Sequence, residues 1–200
     1  MNRGVWASVR CGVAIATVMV GAAGCGQRGD RGLFKVAGPN TPATVAAFER
    51  IKALAGTWES TSADHPGTTV FAVSSNGSVV REIMLPGTEH EMTNVYHMDG
   101  PDLVVTHYCA IGNQPRMRAR PSDVSADRIA FGPDGVMNLR RDDEIYMGQL
   151  TLIFIGPDTL RQEWRTFRQG QVNEDHAVFE MRRRQSASGA ATTPEYAKGE

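Results

Sequence analysis

Cysteine is scarce in this chain: Cys11, Cys25 and Cys109 are all there is in 200 residues. Cys109 alone lies in the body of the sequence, so a disulfide-stapled scaffold is excluded and a packed core must hold the fold. Long apolar runs are equally rare. The longest, residues 11–24 (CGVAIATVMVGAAG), has the length of a signal-peptide core and is too short to cross a bilayer as a permanent helix. An excess of one charge is missing too. Lys and Arg number 21 against 22 Asp and Glu, and removing residues 1–24 leaves 19 against 22, a net charge of −3. No field for nucleic acid follows from that balance, and the short run Arg182-Arg183-Arg184 reads as the solvated end of a strand. There is no Gly-x-Ser-x-Gly nucleophile motif. Asp142-Asp143-Glu144 lacks the alternating oxygen ligands of a calcium loop and reads as a solvated acidic cluster.

What is present begins with a targeting segment. Arg3 and Arg10 give a basic start, and the apolar run ends in Ala22-Ala23-Gly24 followed by Cys25. This arrangement resembles a bacterial lipoprotein lipobox. The resemblance implies a signal peptide over 1–24, cleavage before Cys25, lipidation of that residue and a place in the bacterial cell envelope, at the outer membrane or in the periplasm. Several acyl chains would anchor it firmly, since each buried methylene adds about 0.8 kcal/mol. An ordinary secretory peptide cut nearby is the alternative. Residues 25–41 are Gly-rich without periodicity and read as a flexible tether, and residues 185–200, rich in Ser, Ala, Gly and Thr, as a disordered tail. Residues 42–184 remain, enough for one domain with a sizeable core.

That domain opens on a helix. Thr41 or Thr44 can cap it, Val45, Phe48, Ile51 and Leu54 recur at helical spacing, and Gly56 ends it. Beyond Gly56 the period becomes two. Strands are expected near 57–61, 68–75, 78–84, 91–98, 102–109, 114–120, 127–132, 149–155, 159–168 and 176–183. Asn76-Gly77, Asp99-Gly100, Pro133-Asp134-Gly135, Gly156-Pro157-Asp158 and Gln169-Gly170 mark turns between them. About ten short antiparallel strands joined by hairpins leave two edges to dispose of. An all-β, up-and-down antiparallel barrel with one N-terminal helix plugging an end does so, and a sandwich is the alternative.

The stretch AGTWES, with Gly56-x-Trp58, resembles the first strand of lipocalins, in which the tryptophan closes the barrel floor against an arginine from a late strand. YHMDGPDLVVTHYCAIGNQPRM (96–117) and RQEWRTFRQG (161–170) look like a family of exported, largely uncharacterised bacterial lipocalin-like lipoproteins. The resemblance covers roughly residues 45–183 and implies kinship with the calycins: lipocalins, fatty-acid-binding proteins and nitrobindin-like haem barrels. In such relatives the strand beginning near 146 carries His-Met-His, whereas this chain has Tyr146-Met147-Gly148. A haem or metal role resting on those histidines does not carry over; no cofactor is expected, with haem held through His107 as the alternative.

Strand parity selects the candidate site. Pairing Met98 with Leu103 across the 91–98 and 102–109 hairpin sets Tyr96 against Val105, Asn94 against His107 and Met92 against Cys109, all on one face. That face is the more apolar and is assigned to the interior. A buried imidazole and amide need partners, costing about 1–3 kcal/mol each if left without. Asn94, His107 and the neighbouring Gln114 then form either a structural network or the polar anchor of a ligand pocket walled by Tyr96, Cys109 and Trp164. His107 as a general acid–base group is the catalytic alternative, although no orienting carboxylate is evident. His107-x-Cys109 offers two metal ligands, too few for a closed zinc site. Gly112-Asn113-Gln114-Pro115 reads as a rim loop, and Arg116, Arg118 and Arg120 as solvent-facing, or, with parity reversed, as a cationic lining. The expected function is binding of a small apolar or amphipathic molecule by a lipid-anchored barrel. The rivals are an acid–base enzyme and a protein-interaction module with a filled barrel.

Overall fold

The computed structural model describes residues 37–185. Of the segments expected from the sequence, the signal peptide over 1–24, Cys25, nearly all of the tether and almost the whole tail fall outside the described residues. Thr41 caps helix α1 (Pro42–Lys52), its hydroxyl accepting the Thr44 N–H at 3.3 Å, and proline occupies the first turn, where its missing N–H costs nothing. Thr44, Ala47, Phe48 and Ile51 are the buried face of α1; Val45, expected there, is 40% exposed.

Ten strands follow: β1 (Gly56–Ser60), β2 (Gly67–Ser74), β3 (Val79–Met84), β4 (Met92–Asp99), β5 (Asp102–Tyr108), β6 (Gln114–Ala119), β7 (Arg128–Met137), β8 (Tyr146–Gly156), β9 (Thr159–Arg168) and β10 (Gln171–Arg183). Each pairs antiparallel with its sequence neighbours, and β1 pairs with β10, so the sheet closes into an up-and-down barrel without free edges. The β2–β3 turn places Ser75, Asn76 and Gly77 all at positive φ, which Asn and Gly accept readily.

Pro133-Asp134-Gly135 is not a turn between strands but lies inside β7. The ladder with β8 stops at Phe131, and β7 continues to Met137 on β6 alone, across an irregularity between Pro115 and Met117. A proline is tolerated where a strand is paired on one side only.

The two barrel ends differ. At one, Phe48, Ile51 and Leu54 drop into the core beneath Trp58 and Phe71. Trp58 donates its indole N–H to the Leu54 carbonyl at 2.8 Å. The late-strand arginine that the tryptophan motif implies is Arg183. Its guanidinium lies 4.4 Å from the Trp58 ring centroid and donates to the carbonyls of Ala53 (2.8 Å) and Ala55 (2.7 Å), closing the C-terminal end of α1. Arg50 covers Phe154 from the helix, 5.1 Å above its ring; Phe154 shares the inward face of Leu150 and Leu152 and packs against the core, whereas Ile155 on the outward face is exposed. At the other end lie the β1–β2, β3–β4, β5–β6, β7–β8 and β9–β10 loops, with no helix among the described residues to cover them.

Alternation holds on the wall between. Pro115, Met117 and Ala119 point in, and Arg116 and Arg118 point out. Arg118 is bound to Asp99, Asp102 and Asp134 at 2.8, 3.0 and 3.0 Å, so the arginines brace the outer wall and do not line the interior. No described helix is long and apolar enough to cross a membrane.

Candidate functional site: a buried polar network beneath an end crevice

Asn94 and His107 are cross-strand partners on β4 and β5, as parity requires, and both are buried. His107 Nδ1 and Asn94 Oδ1 are 2.7 Å apart. The network continues to a residue that the sequence reading left out. Glu82 of β3, paired with Asn94 across the β3–β4 hairpin, is wholly enclosed. Its carboxylate accepts from Asn94 Nδ2 (2.8 Å), the Tyr96 hydroxyl (2.5 Å) and Gln162 Nε2 (2.6 Å). Gln162 Oε1 in turn accepts the Trp164 indole N–H at 3.2 Å. Hydrogens on both arms therefore point toward Glu82. Removing a carboxylate from water costs several kcal/mol. Three hydrogen bonds to a charged acceptor, each worth about 1.5–3 kcal/mol, offset part of it.

These directions fix the imidazole. The Asn94 amide nitrogen is spent on Glu82, so its oxygen faces His107 and can only accept. Nδ1 must then carry the hydrogen, and Nε2 is a bare lone pair. Burial lowers the His107 pKa from 6.5 to about 4, so the ring is neutral over the physiological range. Burial raises the Glu82 pKa, against the opposing pull of its bonds from Tyr96, Gln162 and Asn94. Burial, then the adjacent Glu82 charge, also raises that of Tyr96, which keeps its hydroxyl hydrogen for the carboxylate.

His107 Nε2 is enclosed and has no hydrogen-bond partner among the described residues. The His107 side chain helps to line a crevice of about 20 Å³, together with Met84, Met92, Met147, Trp164 and Phe179. Met84 and Met92 are register partners at the β3–β4 turn, and Met147 is near the start of β8, so the crevice lies toward the end away from α1. Met92, Met147 and Phe179 are only half-buried and form its rim, and the ring of His65 from the β1–β2 loop lies 5.0 Å from Phe179. Trp164 forms one wall, 5.0 Å from the imidazole between ring centroids.

Tyr96, Asn94, His107 and Trp164 are thus brought together. Cys109 and Gln114 are not. Cys109 lies past the end of β5, half-buried, its N–H donated to the Asn113 carbonyl at 3.1 Å and its thiol pKa pushed up chiefly by burial. Gln114 turns back to the Gly112 carbonyl at 2.7 Å. Asn113 does the stitching of this rim loop: its amide donates to Glu144 Oε1 (3.1 Å) and to the Ile145 carbonyl (3.0 Å). Glu144 is therefore not a solvated member of an acidic cluster. Its side chain is 7% exposed, and the hydrogen bonds from Arg140 hold its carboxyl well down, at about 2.

The face assigned to Asn94 and Tyr96 carried the signal for Glu82. Two buried donors required an acceptor, and the adjoining strand VVREIM contains one carboxylate. Position 148 explains a second feature. A Cβ there would fall 2.4 Å from Phe167 Cδ2, so this packing admits glycine and no histidine. No protein-family model matches the chain, and no curated protein is significantly similar to it.

Proposed function

We propose that this domain is a binding protein of the calycin kind, carried on a lipid anchor in the cell envelope. Its ligand is a small, mostly apolar or amphipathic molecule seated at the barrel end away from α1. One observation carries the reading: His107, whose side chain lines an apolar crevice, has a fully desolvated Nε2, held as an acceptor by Asn94, with no partner among the described residues. An apolar wall with one placed polar atom is the usual grammar of a ligand site. The magnitude limits the ligand. Pockets for drug-sized molecules run to about 300–1,000 Å³, so a crevice of about 20 Å³ receives an organic ligand only when the rim side chains turn aside. Methionines at 92 and 147 suit that, having three rotatable bonds each.

Asn94 orienting His107 also resembles the arrangement of a general base, which favours the catalytic reading. The pKa of about 4 weighs against it, because a useful base has a pKa near the working pH. Native mass spectrometry of the full chain taken from its own envelope tests the binding reading. A co-purifying small molecule is expected, lost in Met92→Trp, which fills the mouth. A bare polypeptide mass in the native chain, or a passenger retained in Met92→Trp, contradicts it.

A further inference from the structure

The unmoved crevice is too small for an organic ligand, and its composition suits a smaller occupant. Of its six lining residues, three are methionines, two are aromatic, and the sixth is His107. Its volume of about 20 Å³ admits one water or one ion without movement of the rim. A water needs two to four polar partners. Here it would find one good acceptor, Nε2, and thioether sulfurs, which accept weakly and donate nothing. The space is therefore the right size for a water and has the wrong chemistry for one.

We propose that this crevice is a Cu(I) site, in which His107 Nε2 and the thioether sulfurs of Met84, Met92 and Met147 hold a single ion. Thioethers are soft donors that favour Cu(I), and imidazole nitrogen also binds copper. Zinc would find only one of its customary ligands, and hard cations find no oxygen. The imidazole is one of the lining side chains, and its Nε2 is enclosed without a hydrogen-bond partner among the described residues. Its other nitrogen gives its hydrogen to Asn94 Oδ1, the kind of outer partner that orients metal-binding histidines. Asn94 Nδ2 also lies 3.5 Å from Met84 Sδ, so one amide positions two of the four donors. The Trp164 and Phe179 rings keep bulk water away from a cation, and Met92 and Met147 at the half-buried rim give it a way in. The inference rests on the reading of the crevice as a binding site and gives the unmoved crevice a soft cation, an organic ligand entering only when the rim turns aside.

The test is an anaerobic competition between the full chain and the Cu(I) chelator bicinchoninate, with Cys11, Cys25 and Cys109 changed to Ser to remove thiol binding. One Cu(I) per chain is expected, with quenching of tryptophan emission and no displacement by Zn(II). Met92→Leu and Met147→Leu are nearly volume-neutral and keep the fold. Each is expected to weaken binding by more than about tenfold, the scale on which metal-site partners act. The same pair of variants in the native-cysteine chain serves if the serine background folds poorly. Failure to take Cu(I) from the chelator, or an affinity unchanged in both leucine variants, overturns the proposal. A co-purifying organic molecule found without Cu(I) binding would remove the metal and leave the binding reading standing. Absence of both would remove the two together.

Discussion

Glu82 is the residue on which the interior turns. Three neutral donors hold its carboxylate, and its position decides which way Asn94, and hence His107, must point. Glu82→Gln replaces an acceptor oxygen with a nitrogen that meets other donors. It is expected to lower unfolding free energy by about 1–3 kcal/mol in urea titration. An unchanged midpoint would mean that the network contributes nothing. The pH dependence follows from the two shifts. His107, with a pKa lowered from 6.5 to about 4 in the fold, contributes stability that is present above the unfolded value and lost as pH falls through about 4. Glu82, with its pKa raised, acts oppositely: its contribution falls as pH rises from the ordinary carboxylate range through the raised folded value. Glu82→Gln removes the second effect. Stability of that variant is therefore expected to rise more steeply between pH 4 and 6.5 than in the native chain, by up to about 1.4 kcal/mol per pH unit. A slope no steeper than that of the native chain would contradict the assignment of these shifts. Sequence patterning concealed Glu82 for a physical reason. Charged side chains are rarely fully buried, and β3 is apolar on both faces, with Val79 and Ile83 opposite Val80 and Met84.

At the scale of elements, strand alternation and turn chemistry placed all ten strands, and a single hairpin register, Asn94 against His107, was enough to find half of the network. The long β3–β4 connection, residues 85–91, is why the other half was out of reach, since loops of that length do not fix a register. The β7 extension was hidden by Pro133 and Gly135, which normally end strands and here mark an irregular stretch paired on one side. The α1–β10 junction was legible in outline through Trp58 and became specific only with Arg183. This arginine combines cation–π contact with hydrogen bonds to the last carbonyls of α1. Arg183→Ala is expected to destabilise the domain by about 1–3 kcal/mol. Arg183→Lys should recover only part, because an ammonium cannot reproduce the planar fork. Thermal unfolding of the two variants checks this, and equal stability of Arg183→Ala and the native chain would show the junction to be passive.

For the whole molecule, closure and plugging assign the ends different tasks. Closing the sheet removes edges that could pair with other chains. The helix spends its apolar face on one end of the barrel, where Phe48, Ile51 and Leu54 join the core. The other end keeps half-buried methionines and Phe179 around an imidazole nitrogen that nothing described satisfies. Binding at this end, whatever the occupant, depends on that nitrogen being an unprotonated acceptor. The most direct measurement is ¹⁵N NMR of the His107 ring in the full chain across the pH range. The expected spectrum shows hydrogen on Nδ1, a bare Nε2, and no protonation until pH falls toward about 4. A hydrogen on Nε2, or titration at the ordinary histidine value, would contradict the account.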